Sequence, residues 1–136
     1  MEHRAEELKQ RTKLFALRII RLVQSLPGSS EGRVIGMQLL RSGTSVVSNY
    51  RAACRSRSRA EFLSKVSIVV EEADESAFWL EILAEAGLVP GVRLNDLRSE
   101  AEQLTAIFNA SRTTARRNSK SAIKNQKSTM ASRKAA

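Results

Sequence analysis

The chain has 136 residues, enough for one domain with one core, and only 4% of them are aromatic and two are Pro, which favours helices over sheets. A single cysteine, Cys54, rules out an internal disulfide, and no apolar run is long enough to span a bilayer. The net charge of +9 is one-sided, because residues 103–136 hold eight of the 23 Lys and Arg and none of the 14 acids. Such a bias points to a polyanion partner; the alternative is a solubilising tail. The polar, acidic residues 1–7 do not read as a secretory signal, and a lone thiol fits a reducing compartment, so the expected location is cytoplasmic.

The first helix is expected over residues 2–25. Leu8, Phe15, Ile19, Leu22 and Leu26 form its apolar stripe, with Val23 beside it, while Leu14, Leu17 and Ile20 point elsewhere. Pro27-Gly28-Ser29-Ser30 breaks it, and Ser30 is the expected cap of the next helix. That second helix is expected over residues 31–54, with Ile35, Leu39, Val46, Tyr50 and Cys54 on one face. Gly32, Gly36 and Gly43 share this face. Glycines inside a helix cost about 1 kcal/mol each relative to Ala. Close approach of a neighbouring backbone explains them better than a hinge, since the apolar pattern runs through them.

Arg55-Ser56-Arg57-Ser58-Arg59 leads into the third helix. Free amides at a helix N-terminus add positive character there, so anion binding and a plain solvated turn are both open readings. Ser58 and Glu61 have the spacing of a capping box. Phe62, Val66, Val69, Ala73, Ala77, Leu80 and Ala84 then repeat at three and four residues, and Gly87 followed by Pro90 ends the run. This helix is about 40 Å long and organises the rest. The fourth helix is expected from Asn95 or Asp96, with Leu97, Ala101, Leu104, Phe108, Ser111 and Ala115 on its stripe. From Arg117 large apolar residues stop. The expectation is therefore an antiparallel up-down-up-down four-helix bundle over residues 1–116, with a basic tail over 117–136 that lacks order without a partner.

No chemistry of catalysis is visible. There is no phosphate loop, hydrolase serine motif or zinc spacing. His3 is the only histidine, so Cys54 has no evident base and Glu71, Glu72, Asp74 and Glu75 lack the histidines of a di-iron bundle. Ion pairing with arginines is the expected role of these acids, and no metal or cofactor is expected. A second apolar strip on the third helix, Ile68, Trp79, Ile82 and Ala86 with Phe78 at its edge, falls outside the main stripe. With Leu14 and Leu17 it reads as an oligomer interface anchored by Trp79; a core that reaches around is the alternative.

The run from Gln38 to Asn49, Gln-Leu-Leu-Arg-Ser-Gly-Thr-Ser-Val-Val-Ser-Asn, is followed by Arg55-Ser56-Arg57-Ser58-Arg59-Ala60-Glu61-Phe62. With the acids at 71–75 and the closing Gly87-Leu88, it resembles the four-helix-bundle family that includes proteins encoded in 23S ribosomal RNA intervening sequences. The resemblance covers about residues 8–115. Many members read Asn-Ile-Ala-Glu-Gly where this chain has Asn49-Tyr50-Arg51-Ala52-Ala53, so the acid is gone and a base is gained. The resemblance implies homopentamers around a central channel. It also implies a link to nucleic acid, since a relative is an accessory protein to the reverse transcriptase of diversity-generating retroelements. The functional expectation is a non-enzymatic oligomer that binds RNA or DNA phosphates through Arg51, Arg55, Arg57, Arg59, Arg116, Arg117, Lys120 and Lys124, without sequence readout. A protein-interaction scaffold whose tail is incidental is the alternative.

Overall fold

The computed structural model describes residues 2–135. Four helices follow one another: α1 (Glu2–Gln24), α2 (Ser30–Cys54), α3 (Arg59–Glu85) and α4 (Gly91–Ala135). Among the described residues there is no strand, and no helix is long and apolar enough to cross a membrane. Each helix packs on its neighbours in sequence, and α4 closes the ring against α1 along the narrowest seam. The diagonal pairs lie further apart, across the shared core. Alternation of direction shows in the contacts. Gly36 faces Val23 while Gly43 faces Ile19, and Arg41 of α2 pairs with Glu72 and Glu75 of α3. This is the expected up-down-up-down bundle.

Local chemistry sets the helix ends. Ser29, not Ser30, caps α2, accepting from the Gly32 amide at 3.1 Å. Ser58 caps α3 by accepting from Glu61 N at 3.1 Å, and the Glu61 carboxylate accepts from the amide of Arg57 rather than from Ser58. Gly87 has φ +72° and lets Leu88 donate back to the Leu83 carbonyl, a C-terminal closure that side chains with a Cβ resist. α4 begins at Gly91, about one turn earlier than expected, because Pro90 takes the position before it and its carbonyl accepts from Arg93.

The core draws on all four helices. Phe15, Ile19, Leu39, Val46, Val66, Leu80, Leu104 and Phe108 are wholly buried. Leu83, Val89 and Leu94, absent from the expected stripes, join them. Three buried hydroxyls find partners: Thr12 reaches the Leu8 carbonyl at 2.8 Å, and Ser76 Oγ lies 2.9 Å from Ser42 Oγ across the α2–α3 contact. The glycine face needs a correction. Gly43 and Gly36 make room for side chains, Ile19 and the Leu26–Val23 pair, not for a neighbouring backbone. Only Gly32 sits against backbone, the Pro27 carbonyl of its own turn.

The C-terminal end also differs from expectation. Residues 117–135, read from the sequence as a tail without order, continue α4 as helix. No Gly or Pro occurs after Gly91, and Ala, Arg, Lys and Gln all favour helix. From Lys120 to Lys134 every side chain is exposed, so this part of α4 packs on nothing.

Candidate nucleic-acid interface

One end of the bundle collects the C-terminus of α2, the N-terminus of α3 and the point where α4 leaves the core. Arg51 is exposed on the last turn of α2. Arg55 is the C-cap, its amide bonded to the Ala52 and Ala53 carbonyls, which leaves its side chain in solvent. Arg57 and Arg59 are exposed too, and Arg59 Nη1 donates to the Asn118 carbonyl of α4 at 3.0 Å. That bond joins the arginine loop to the root of the extension. It sets Arg59 beside the root of the extension, a proximity that sequence spacing could not show.

Helix geometry then orders the extension. At 100° per residue, Arg116, Lys120, Lys127 and Lys134 fall along one stripe, with Lys124 at its edge and Arg117 to the side. All six are exposed. Among the described residues, ion pairs engage only Lys9, Arg11 and Arg41, so no carboxylate neutralises this stripe or the loop. Arg112 begins the stripe and was not among the expected site residues. Its Nη2 donates to Asn109 Oδ1 at 2.7 Å, while its buried Nε has no partner among the described residues. The backbone half of the expected anion site is weaker, because Ser58 and Glu61 already take up amides at the α3 N-terminus.

Beneath the loop lies a hollow of about 690 Å³. Its walls are Leu8 of α1, Tyr50 and Ala53 of α2, Phe62 and Val66 of α3, and Phe108 of α4. The Tyr50 and Phe108 rings are 4.9 Å apart at 51°. Burial pushes the Tyr50 hydroxyl pKa up, helped by the adjacent Cys54 thiol, so the phenol stays neutral. Cys54 is half-buried on the wall of this hollow rather than sealed in the core.

The acids at 71–75 sit elsewhere, on the α2–α3 seam. Arg41 spans both Glu72, at 3.2 Å, and Glu75, at 2.6 Å. The closer hydrogen bond holds the Glu75 carboxyl below its ordinary range, while burial outweighs Arg41 at Glu72 and raises it. Among the described residues no group of three or more His, Cys, Asp or Glu gathers as metal ligands. On the α1–α4 seam Arg11 grips Glu100 with two nitrogens, at 2.9 and 2.6 Å.

The expected interface residues divide. Leu14 and Leu17 are exposed on α1, at 54% and 40%, and Ile68 and Ile82 are half-exposed on α3. Trp79 is different: it packs partly against the core and donates Nε1–H to Glu75 Oε1 at 3.2 Å. Phe78 is the exposed ring beside it. Val34 and Met37 of α2 are also exposed, at 63% and 65%, and the Arg41–Glu75 and Ser42–Ser76 pairings put them level with residues 78–82 of α3. They went unnoticed because a helix's own periodicity does not say which neighbour flanks its outer face.

Among curated proteins nothing matches the chain. Among solved structures, the chain is similar to a crystal structure at 1.70 Å of a protein with unknown function from the S23 ribosomal protein family of Bacteroides thetaiotaomicron. It is 28% identical, with a TM-score of 0.75, over 80% of this chain and 97% of that one. Residues 4–110, the whole bundle without the α4 extension, match the family model of the 23S rRNA-intervening sequence protein, and the chain belongs to that family.

Proposed function

We propose that the protein is a non-enzymatic, oligomeric nucleic-acid-binding protein that holds RNA or DNA by its phosphates, as an accessory to an enzyme such as a reverse transcriptase. The α4 extension carries this reading. It is a helix with a row of exposed cations on one face, no acid after Glu102, and an arginine loop bonded to its root. Cations on a stripe suit a backbone of repeating negative charge and read no bases. Several copies in one assembly would add their weak contacts through effective concentration.

Assembly is supported by the distribution of apolar surface. Leu14 and Leu17 lie on α1, whereas Phe78, Ile82, Val34 and Met37 lie on the α2–α3 side, and α1 sits diagonally across the bundle from α3. Two different patches on different sides suit head-to-tail contact, which closes into a ring, better than a two-fold dimer that pairs like with like. The ring we propose is a homopentamer, as the resemblance implies.

The test is the salt dependence of binding to a labelled single-stranded RNA and a DNA duplex. The logarithm of affinity should fall linearly with the logarithm of salt, by about 0.7 per single-strand phosphate and about 0.9 per duplex phosphate neutralised. Truncation after Ala115 removes Arg116, Arg117, Lys120, Lys124, Lys127, Arg133 and Lys134. The slope should become much shallower while the bundle stays folded. Replacing Arg55, Arg57 and Arg59 should flatten it further. Unchanged affinity and slope in the truncated protein would reject the reading in favour of a protein-interaction scaffold.

A further inference from the structure

We infer that the hollow at the basic end of the bundle is a binding site for an amphipathic anion, a medium-chain carboxylate with its hydrocarbon inside and its head group among the arginines. This inference does not depend on nucleic-acid binding. The hollow, at about 690 Å³, lies within the range of about 300–1,000 Å³ typical of small-molecule sites. All four helices contribute apolar walls, so its shape is fixed by the same packing that fixes the bundle.

The chemistry of the walls selects the ligand. They are mostly aliphatic and aromatic; the polar groups besides the arginines are the Tyr50 hydroxyl, the Cys54 thiol and the hydroxyls of Ser56, Ser58 and Ser111, and each of those three serines is already bonded to a backbone group. A nucleobase buried there would leave several donors and acceptors unpaired, at a cost that a hydrocarbon avoids. Arg4 from α1 and Arg57 and Arg59 from the loop stand around the hollow, and all three are exposed. None has a carboxylate partner among the described residues. The Glu61 carboxylate is the nearest acid in sequence, and it is turned to the Arg57 amide. An apolar hollow ringed by three unneutralised guanidinium groups complements one apolar tail bearing one anionic head.

Cys54 supplies a built-in reporter, because its half-buried thiol lies on the wall and is the only thiol in the chain. Dodecanoate is the probe, used with the full chain. It should bind saturably at one per chain by calorimetry, slow alkylation of Cys54, and bind at least about tenfold more tightly than dodecanol. Arg4→Glu should weaken it by about tenfold or more without altering the salt slope for RNA, since Arg4 lies outside the loop and α4 stripe. Ser111→Trp, which projects a large ring into the hollow from the half-exposed Ser111 on α4, should abolish dodecanoate binding. Ala5→Trp fills it from α1 and guards against a folding defect in the first variant.

Absence of saturable binding would overturn the inference, as would binding that survives both filling variants. Equal affinity for dodecanol would reject the arginine ring as the head-group site. Cys54 that is protected in concentrated protein alone and exposed on dilution would show that a second copy covers the hollow instead. Protection of Cys54 by RNA that is lost in Ser111→Trp would show that a nucleotide occupies it, and would equally end the proposal.

Discussion

A Cβ placed on Gly43 would lie 2.9 Å from Cγ1 and 3.0 Å from Cγ2 of Ile19. Ile19 is wholly buried and branched at its own Cβ, so it cannot swing aside cheaply. Two effects compete in Gly43→Ala. The helix gains about 1 kcal/mol of intrinsic propensity. Overpacking costs about 1–3 kcal/mol, and it wins here because both γ carbons of Ile19 are in the way. The expected outcome is a lower midpoint in urea denaturation, with Gly43→Leu worse. In an Ile19→Ala background those two carbons are gone, so the same Gly43→Ala change should become neutral or stabilising. An equal effect in both backgrounds would show that Ile19 is not the reason for the glycine. At this scale the sequence told that the position is tight, because a helix does not carry three glycines on its apolar face without cause. It did not tell what fills the space, since that depends on how α1 is rotated and slid against α2. Tyr50 and Cys54 have the same character: their face was legible from spacing, while the hollow between them and Phe62 exists only once three helix ends meet the middle of α4.

At the scale of the element, α4 carries two kinds of helix in one. Its first half is amphipathic and buries Leu94, Leu97, Ala101, Leu104 and Phe108. Beyond Phe108 it has no buried side chain, and its second half rests on propensity, with like charges repeating along one face. A helix of fewer than about 12–15 residues is marginal alone in water, and repulsion at i, i+4 weakens it further. Amide hydrogen exchange should therefore be slow over residues 97–108 and fast over residues 120–134. A polyanion should slow the second set, because it removes the repulsion and favours the helical arrangement of the cations. Exchange over residues 120–134 that stays fast with RNA bound at saturation would separate the extension from the binding surface. The stripe pattern of the bundle helices was legible in the sequence because burial imposes a period. The extension was not, because a helix without a buried face has no apolar period to read, and its composition resembles that of a disordered tail. The helix starts show the same limit: Ser58 and Gly87 were clear, yet Ser29 and Pro90 each set a boundary a few residues from the expected place.

For the whole molecule, the separation of the apolar patches makes assembly testable without knowing the copy number. Leu14 and Leu17 face out from α1, and Phe78, Ile82, Val34 and Met37 face out from the α2–α3 side. Trp79 is a poor handle despite its size, because it also packs on the core and bonds Glu75, so its loss would confuse folding with assembly. Leu17→Asp and Phe78→Asp change exposed positions and should leave the helical content and thermal unfolding of the bundle nearly unchanged, as surface substitutions usually do. If copies meet head to tail, each substitution spoils one half of every contact, so each variant alone should sediment as a monomer. Mixed together, the two variants still own one intact pair of patches: the α1 face of the Phe78→Asp chain and the α2–α3 face of the Leu17→Asp chain. They should combine into a dimer and stop there, because the remaining outer faces both carry a charge. If like patches pair about a two-fold axis, the outcome differs. A variant whose changed patch lies outside that axis would keep its dimer, and mixing would add no new species. Sedimentation velocity of the two variants and their equimolar mixture therefore reads the topology of the contact directly. A dimer that appears only on mixing supports a ring. Variants that assemble as the unsubstituted chain does would place the interface elsewhere and leave the exposed leucines and phenylalanine for a different protein partner.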